Sequence, residues 1–69
     1  MASLPLGQTV RALREAKGLS RERLAARVDV SSSTIRRLEE GHAPKIATLR
    51  SIARVLDVSL AELLAEDAA

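Results

Sequence analysis

The chain has 69 residues, with no Cys, Phe, Trp or Tyr, and a formal net charge of +2. A chain of this length buries only about 60% of its unfolded surface, which leaves room for one small aliphatic core and excludes a deep catalytic cleft. Because cysteine is absent, a disulfide framework and a thiolate zinc site are also excluded. Strand formers are scarce, and we expect a single all-α domain over residues 1–69.

Charge is distributed unevenly along the chain. All eleven Lys and Arg lie between Arg11 and Arg54, where five acidic residues reduce the net charge to +6, and the last fifteen residues carry −4. A basic body favours a polyanionic partner. The sequence MASLPLGQTVRALR lacks the pattern of a signal peptide, and no apolar run approaches the roughly 20 residues that span a bilayer. We therefore expect a cytoplasmic protein without a membrane partner.

The spacing of apolar residues predicts five helices. The first runs from about Pro5, which suits a first helical turn, to Lys17, and Gly18 follows it as a C-terminal cap. The second is short and follows Ser20, its N-cap. The chain then turns at residues 28–30.

The third, fourth and fifth helices carry similar boundary signals. The third is capped by Ser31 and runs to Glu40. The fourth follows Pro44. The fifth begins at Ser59, and Glu62 stands three residues later, as in a capping box.

One local pattern occurs twice, as VDVS at 28–31 and LDVS at 56–59. Each copy places Asp, then an apolar residue, then a serine cap, which predicts the same turn in both places. Asp29 is expected in a left-handed or bridging conformation, which Asp tolerates better than most residues. We expect an ordered core from about 5–65 and a frayed acidic tail at 66–69.

The second and third helices are separated by about three residues, which forces a steep crossing and predicts a helix-turn-helix. At about 100° per residue, Ile35 and Leu38 define the buried side of the third helix. The opposite side carries short hydroxyls at its N-terminal end and guanidinium groups one turn later. These outward residues are Ser32, Ser33, Arg36 and Arg37.

The outward face has the chemistry of a DNA-reading helix. In such a helix-turn-helix the N-terminal residues of the second helix enter the major groove, where serine can bond several bases and arginine forks onto guanine. The four residues are therefore candidate base contacts. The simpler alternative is helix capping with a solvated basic face that pairs with Glu39 or Glu40.

The run LSRERLAARVDVSSSTIRRLEEG, followed by Pro and LRSIARVLDVSLAELL, resembles the Cro/cI repressor-type (XRE family) helix-turn-helix from about Leu6 to Leu64. The resemblance implies a compact five-helix, lambda-repressor-like DNA-binding domain, with the motif in its second and third helices. It further implies a sequence-specific transcriptional regulator, a repressor, that reads the major groove of double-stranded DNA with residues 32–40 and needs no cofactor.

The resemblance also assigns roles to single residues. Ser32, Ser33 and Arg37 match the base-reading positions of the family, and Arg14 and Glu39 match an ion pair that ties the first helix to the recognition helix. Arg21 replaces a glutamine that clamps a backbone phosphate, and an arginine would keep that contact. The full set of candidate phosphate contacts is Arg21, Ser31, Thr34, His42 and Lys45.

Three residues depart from the family pattern. Asp29 stands where the family prefers glycine, so the turn is expected to be strained. Lys45 occupies a helix start that is usually capped by serine, and a phosphate contact is the alternative role. Glu40 points toward the DNA side and would repel phosphate unless it pairs with Arg36 or Arg37.

The fifth helix is the candidate dimer interface. Leu60, Leu63 and Leu64 are expected to lie mostly in the core, with a surplus that forms a small exposed patch. A single domain reads about half a turn of DNA, and repressors of this kind pair across a two-fold axis. We therefore expect a weak homodimer.

Other functions remain as alternatives. The chain could be the antitoxin of a toxin–antitoxin pair with a protein partner, or an interaction module that has lost DNA binding. An enzyme is disfavoured because the sequence has no nucleophile–base constellation, no metal ligand set and no glycine-rich phosphate loop. His42 is alone, so no metal site is expected. As a DNA-binding protein, the chain is expected to associate with the nucleoid.

Overall fold

The computed structural model describes residues 5–64, which form five helices and no strand. The helices are α1 (Leu6–Ala16), α2 (Arg21–Arg27), α3 (Ser32–Glu39), α4 (Ile46–Val55) and α5 (Leu60–Leu63). The predicted all-α, five-helix fold is confirmed. The expected acidic tail at 66–69 lies outside the described residues. None of the five helices has the length and apolar character needed to cross a bilayer.

Serine hydroxyls begin three of the five helices. Ser20, Ser31 and Ser59 each accept a hydrogen bond from a backbone N–H three residues later, at 3.0, 3.3 and 3.0 Å. At Ser59 the Glu62 carboxylate accepts in return from the Ser59 N–H at 3.2 Å, which completes the predicted capping box. Lys45 precedes α4 without a side-chain cap, as its position in the sequence suggested.

Left-handed residues end the first four helices. Gly18 and Gly41 have φ of 70° and 109°, and Asp29 and Asp57 have φ of 58° and 61°. In both aspartate turns the N–H of the next residue donates, at 3.0 Å, to the carbonyl oxygen five residues before it, the pattern of a Schellman motif. The prediction of one turn used twice is confirmed. A left-handed conformation costs a non-glycine residue about 1–2 kcal/mol.

One aliphatic core joins all five helices. Its buried members are Val10, Leu19, Leu24, Ala25, Val28, Ile35, Leu38, Leu49, Ile52, Ala53, Leu56 and Leu63. Leu63 is 0% exposed, so the expectation that it contributes to an exposed dimer patch is wrong. The physical reason is that α5 is a single turn packed against α1 and α4, and Leu63 is the side chain that this turn directs into the core. Leu60 and Leu64 are half-buried.

The α1 and α3 helices approach each other closely at Gly7, which is buried. A Cβ atom at this position would collide with the carbonyl oxygen of Leu38 and would lie 3.0 Å from backbone atoms of Glu39. The contacts are to backbone, which cannot rotate away as a side chain can. Gly7 therefore sets the distance between α1 and the C-terminal half of α3.

We expect Gly7→Ala to destabilise the domain by about 1–3 kcal/mol, the usual cost of overpacking. Helix propensity alone predicts the opposite sign, because alanine favours a helix over glycine by about 1 kcal/mol. Urea denaturation followed by circular dichroism measures the difference. Gln8→Ala, at the exposed neighbouring position, is the control and should change stability little. A Gly7→Ala protein at least as stable as wild type would contradict the close approach.

Candidate nucleic-acid interface

The outward face of α3 is open to solvent. Ile35 and Leu38 on its inner side are 0% and 2% exposed, whereas Ser33, Arg36 and Arg37 on the opposite side are exposed. The prediction that the side turned away from Ile35 faces solvent is confirmed. This face is therefore free to meet a large partner.

The hydroxyls at the head of α3 divide into two pairs. The Ser31 hydroxyl accepts from the Thr34 N–H and also shares a 3.1 Å hydrogen bond with the Thr34 hydroxyl, so these two residues build the helix start. The hydroxyls of Ser32 and Ser33 have no hydrogen-bond partner within residues 5–64. Ser32 is half-buried and Ser33 exposed. The second pair can therefore bond a ligand without dismantling the cap.

A shallow groove runs along the side of α3 that faces α2. It is lined by Arg21, Glu22, Ser32, Ser33 and Arg36. Arg21 is the first residue of α2, and Ser32, Ser33 and Arg36 lie in the first two turns of α3, the recognition helix. The structure thus brings one predicted phosphate contact beside three predicted base contacts.

A second groove runs along the other side of α3, toward the loop that leads to α4. Its lining residues are Val30, Thr34, Arg37, His42, Ala43, Pro44, Lys45 and Thr48. Three predicted phosphate contacts (Thr34, His42 and Lys45) meet the predicted base contact Arg37 here, although they are spread over twelve positions of the sequence. The outward face of α3 is therefore flanked by cationic side chains on both sides.

The two arginines of the outward face have no acidic partner in the described part of the chain. Ion pairs within 4.0 Å involve only Arg11, Arg14 and Arg21 among the basic residues at positions 5–64. Glu40 therefore pairs with neither Arg36 nor Arg37, the point that the sequence left open. The guanidinium groups are available for a ligand, and the Glu40 carboxylate adds an uncompensated negative charge beside them.

The structure contains the expected ion pair between Arg14 and Glu39. The Arg14 Nε lies 2.7 Å from Glu39 Oε2 and its Nη2 lies 3.2 Å from Oε1. The Arg14 Nη1 donates at 2.8 Å to the carbonyl oxygen of Leu19. The side chains of Arg14 and Glu39 are 8% and 2% exposed. This pair fastens α1 to the last residue of α3.

Sequence reasoning missed a second partner of Glu39. The Arg21 Nε donates at 3.0 Å to Glu39 Oε1, so one buried carboxylate serves two arginines. The Arg21 side chain is 40% exposed. A signal was present in the helical projection, because Glu39 falls on the shoulder of α3 that carries Ser32 and Arg36, the side that faces the start of α2.

The two arginines decide the ionisation of Glu39. Burial by itself raises the pKa of this carboxyl, but hydrogen bonds from Arg14 and Arg21 outweigh it and hold the pKa below its ordinary value of 4.5. In turn, the hydrogen bond to Glu39 raises the pKa of Arg14 against the opposing effect of burial. Glu39 and Arg14 are therefore both charged at neutral pH.

Metal binding is not supported by the described residues. No three side chains among the His, Asp and Glu of residues 5–64 lie together as ligands for an ion. His42 is exposed and lines the second groove.

We expect Glu39→Gln to lower the free energy of unfolding at neutral pH by about 3 kcal/mol, because it removes the hydrogen-bonded counter-charge of the buried Arg14 and leaves only the Glu15 carboxylate, 3.9 Å away. The folded-state pKa of Glu39 is depressed, so its stabilisation is present above the unfolded value of 4.5 and is lost as pH falls through the folded pKa. Urea denaturation across this acidic range should show a shallower pH dependence for the variant than for wild type.

The control for this measurement is Glu40→Gln. Glu40 is exposed and forms no ion pair within residues 5–64, so its loss should change stability little. Equal pH dependence of wild type and Glu39→Gln would show that Glu39 is not held ionised by its neighbours.

Comparison with known proteins identifies the fold. A family model described as "Helix-turn-helix" (HTH_3) matches residues 10–63. RghRB of Bacillus subtilis (strain 168), an uncharacterized HTH-type transcriptional regulator, is 41% identical over 63 residues, which are 88% of this chain and 45% of RghRB. This chain thus spans about half the length of the curated relative that it matches.

Two solved structures of SinR, a protein of Bacillus subtilis, are also similar. The SinR–SinI complex gives a TM-score of 0.84 at 34% identity, over 90% of this chain and 62% of that chain. SinR, a master regulator for biofilm formation, in complex with DNA gives 0.80 at 34% identity, over 86% of this chain and 97% of that chain. With a family match over most of its length, this chain belongs to the HTH_3 helix-turn-helix family, the Cro/cI (XRE) type.

Proposed function

We propose that this chain is a DNA-binding transcriptional regulator, and that it represses transcription by occupying a promoter. The observation that carries the proposal is the outward face of α3, where Ser33, Arg36 and Arg37 are exposed and the two arginines have no acidic partner within residues 5–64. The similarity to SinR, which has been solved bound to DNA, and to the regulator RghRB supports the same function.

In this proposal α3 and the adjoining Glu40, residues 32–40, enter the major groove. Ser32, Ser33, Arg36 and Arg37 contact base edges, and Arg21, Ser31, Thr34, His42 and Lys45 contact phosphates. The two grooves beside α3 support this division, because a helix inserted in the major groove has a phosphate backbone on each side. Arg21 would reach one backbone, and His42 and Lys45 the other.

We further propose a weak homodimer through the α5 region, so that two copies read half-sites about 34 Å apart. The half-buried Leu60 and Leu64 remain as apolar contributors, and Leu63 is excluded by its burial. The domain would act in the cytoplasm, on the nucleoid, as a non-enzymatic protein. A protein partner is a second proposal, supported by the SinR–SinI complex; in the antitoxin form of this proposal that partner is a toxin.

Selection from a random oligonucleotide pool tests the DNA-binding function. We expect enrichment of a defined sequence. The logarithm of the binding constant for that sequence should fall linearly with the logarithm of the salt concentration, with a slope of about −0.9 per phosphate contact. Arg21→Ala should weaken binding to all sequences alike. Arg37→Ala should relax the preference at one base position, with a loss of about 1–3 kcal/mol there.

Arg54→Ala is the matched control for these two variants. It removes the same charge from an exposed arginine in the last turn of α4, outside both grooves, and should leave the selected sequence unchanged. Failure of wild type to enrich any sequence would refute the function. Identical, sequence-independent effects of Arg21→Ala and Arg37→Ala would refute the division of roles.

A prediction at Lys45 separates stability from binding. Because α4 begins there without a side-chain cap, Lys45→Ser should raise the free energy of unfolding by about 1 kcal/mol. The same change removes a proposed phosphate contact and should reduce the salt slope of DNA binding by about 0.9. Urea denaturation and a salt titration of DNA affinity measure the two effects.

Lys45→Ala provides the comparison, since it removes the charge without supplying a cap. It should lose the same salt dependence without gaining stability. A salt slope that is unchanged in both variants would show that Lys45 makes no phosphate contact.

A further inference from the structure

We propose that Glu39 is a positioning residue for DNA binding. It acts by holding the Arg21 guanidinium at the edge of the α2–α3 groove, the groove lined by Arg21, Glu22, Ser32, Ser33 and Arg36. This inference rests on the proposed function and extends it to a residue that cannot itself touch DNA. The side chain of Glu39 is 2% exposed, whereas that of Arg21 is 40% exposed. Any effect of Glu39 on binding is therefore indirect, through its charge, through the position of α3 or through another side chain.

The hydrogen bonds define how Arg21 is held. Its Nε donates to Glu39 Oε1 at 3.0 Å, and neither of its Nη nitrogens donates to an acceptor within residues 5–64. The guanidinium group is planar and rigid, so a bond at Nε fixes the direction of both Nη groups. The two Nη nitrogens remain as donor groups beside Ser32 and Ser33. Their N–H groups have the fork geometry that matches a phosphate.

The Glu39 carboxylate is itself held in place. Arg14 binds both of its oxygens, at 2.7 and 3.2 Å, and is anchored to the Leu19 carbonyl oxygen. Glu39 thus connects the buried frame of the domain to an arginine at the surface. The three side chains together carry one net positive charge, and the charges of Arg36 and Glu22, which line the same groove, offset each other, so the groove remains attractive to a phosphate.

Simple electrostatics and positioning predict opposite results for Glu39→Gln. The change adds one positive charge to the protein, which by itself should tighten DNA binding. Loss of the fixed Arg21 geometry should weaken it. Glu40→Gln makes the same charge change at the next residue, whose exposed carboxylate forms no ion pair in the described part of the chain. Because Glu40 lies in the segment that enters the groove in this proposal, its variant gives the upper limit of the charge effect, and wild type is the reference for Glu39→Gln.

We expect Glu40→Gln to bind the selected DNA more tightly than wild type, and Glu39→Gln to bind it at least about threefold more weakly than wild type, within the range of coupling between contacting residues. Affinities are measured by fluorescence anisotropy and corrected for the folded fraction from circular dichroism in the same buffer. In an Arg21→Ala background Glu39→Gln should no longer weaken binding.

The background experiment separates positioning from a structural role. If Glu39→Gln weakens binding equally with and without Arg21, then Glu39 acts only by holding α3, and the inference is overturned. Binding by Glu39→Gln that is as tight as wild type or tighter would overturn it as well. If wild type binds no DNA sequence, the proposed function itself fails, which is a different outcome from either of these.

A second variant avoids the stability cost of losing Glu39. Arg21→Lys keeps the charge at a partly exposed position. A lysine ammonium that donates to Glu39 cannot at the same time present a rigid pair of donor nitrogens to a phosphate. We expect severalfold weaker binding with a salt slope close to that of wild type. Wild-type affinity in Arg21→Lys would show that charge alone is sufficient and would refute the positioning role.

Discussion

The buried carboxylate of Glu39 is the interaction on which the arrangement of the recognition helix depends. It accepts hydrogen bonds from Arg14 on α1 and from Arg21 at the start of α2, and it lies at the end of α3. A buried carboxylate without partners would cost several kcal/mol, so the folded state is favoured only where three helices place these groups together. The core is small and entirely aliphatic, and aliphatic packing has little directionality. The hydrogen bonds of Glu39 therefore fix the orientation of α3 relative to α1 and α2.

Close approach of backbones complements the ion pair. Gly7 lets α1 lie against the backbone of Leu38 and Glu39, the last two residues of α3. Arg14 reaches the same end of α3 from two turns farther along α1. A steric contact and an electrostatic contact therefore act on one segment, and together they hold the outward face of α3 in a fixed orientation relative to the rest of the domain.

Two residues depart from local preferences, with different implications. Asp29 has a left-handed backbone near the proposed interface, but Asp57 has the same conformation in a turn of the same sequence between α4 and α5. The strain at Asp29 is therefore a property of the turn and not a sign of function. Lys45 leaves α4 without a side-chain cap, as Pro5 leaves α1. What distinguishes Lys45 is that its side chain lines the groove beside Arg37, where the proposed phosphate contact would offset the missing cap.

The five helices, their serine caps, the two aspartate turns and the outward face of α3 follow from the residue pattern alone. Each of these features depends on residues within about four positions of one another. The 3.6-residue period of a helix then assigns each residue to the buried or the outward face. Only the packing of the helices in space shows that Arg21 shares Glu39, that Leu63 is buried, and that Gly7 touches α3. Each of these depends on the distance between helices that are far apart in the chain, and a helical pattern specifies which side is buried without specifying which residue will lie opposite.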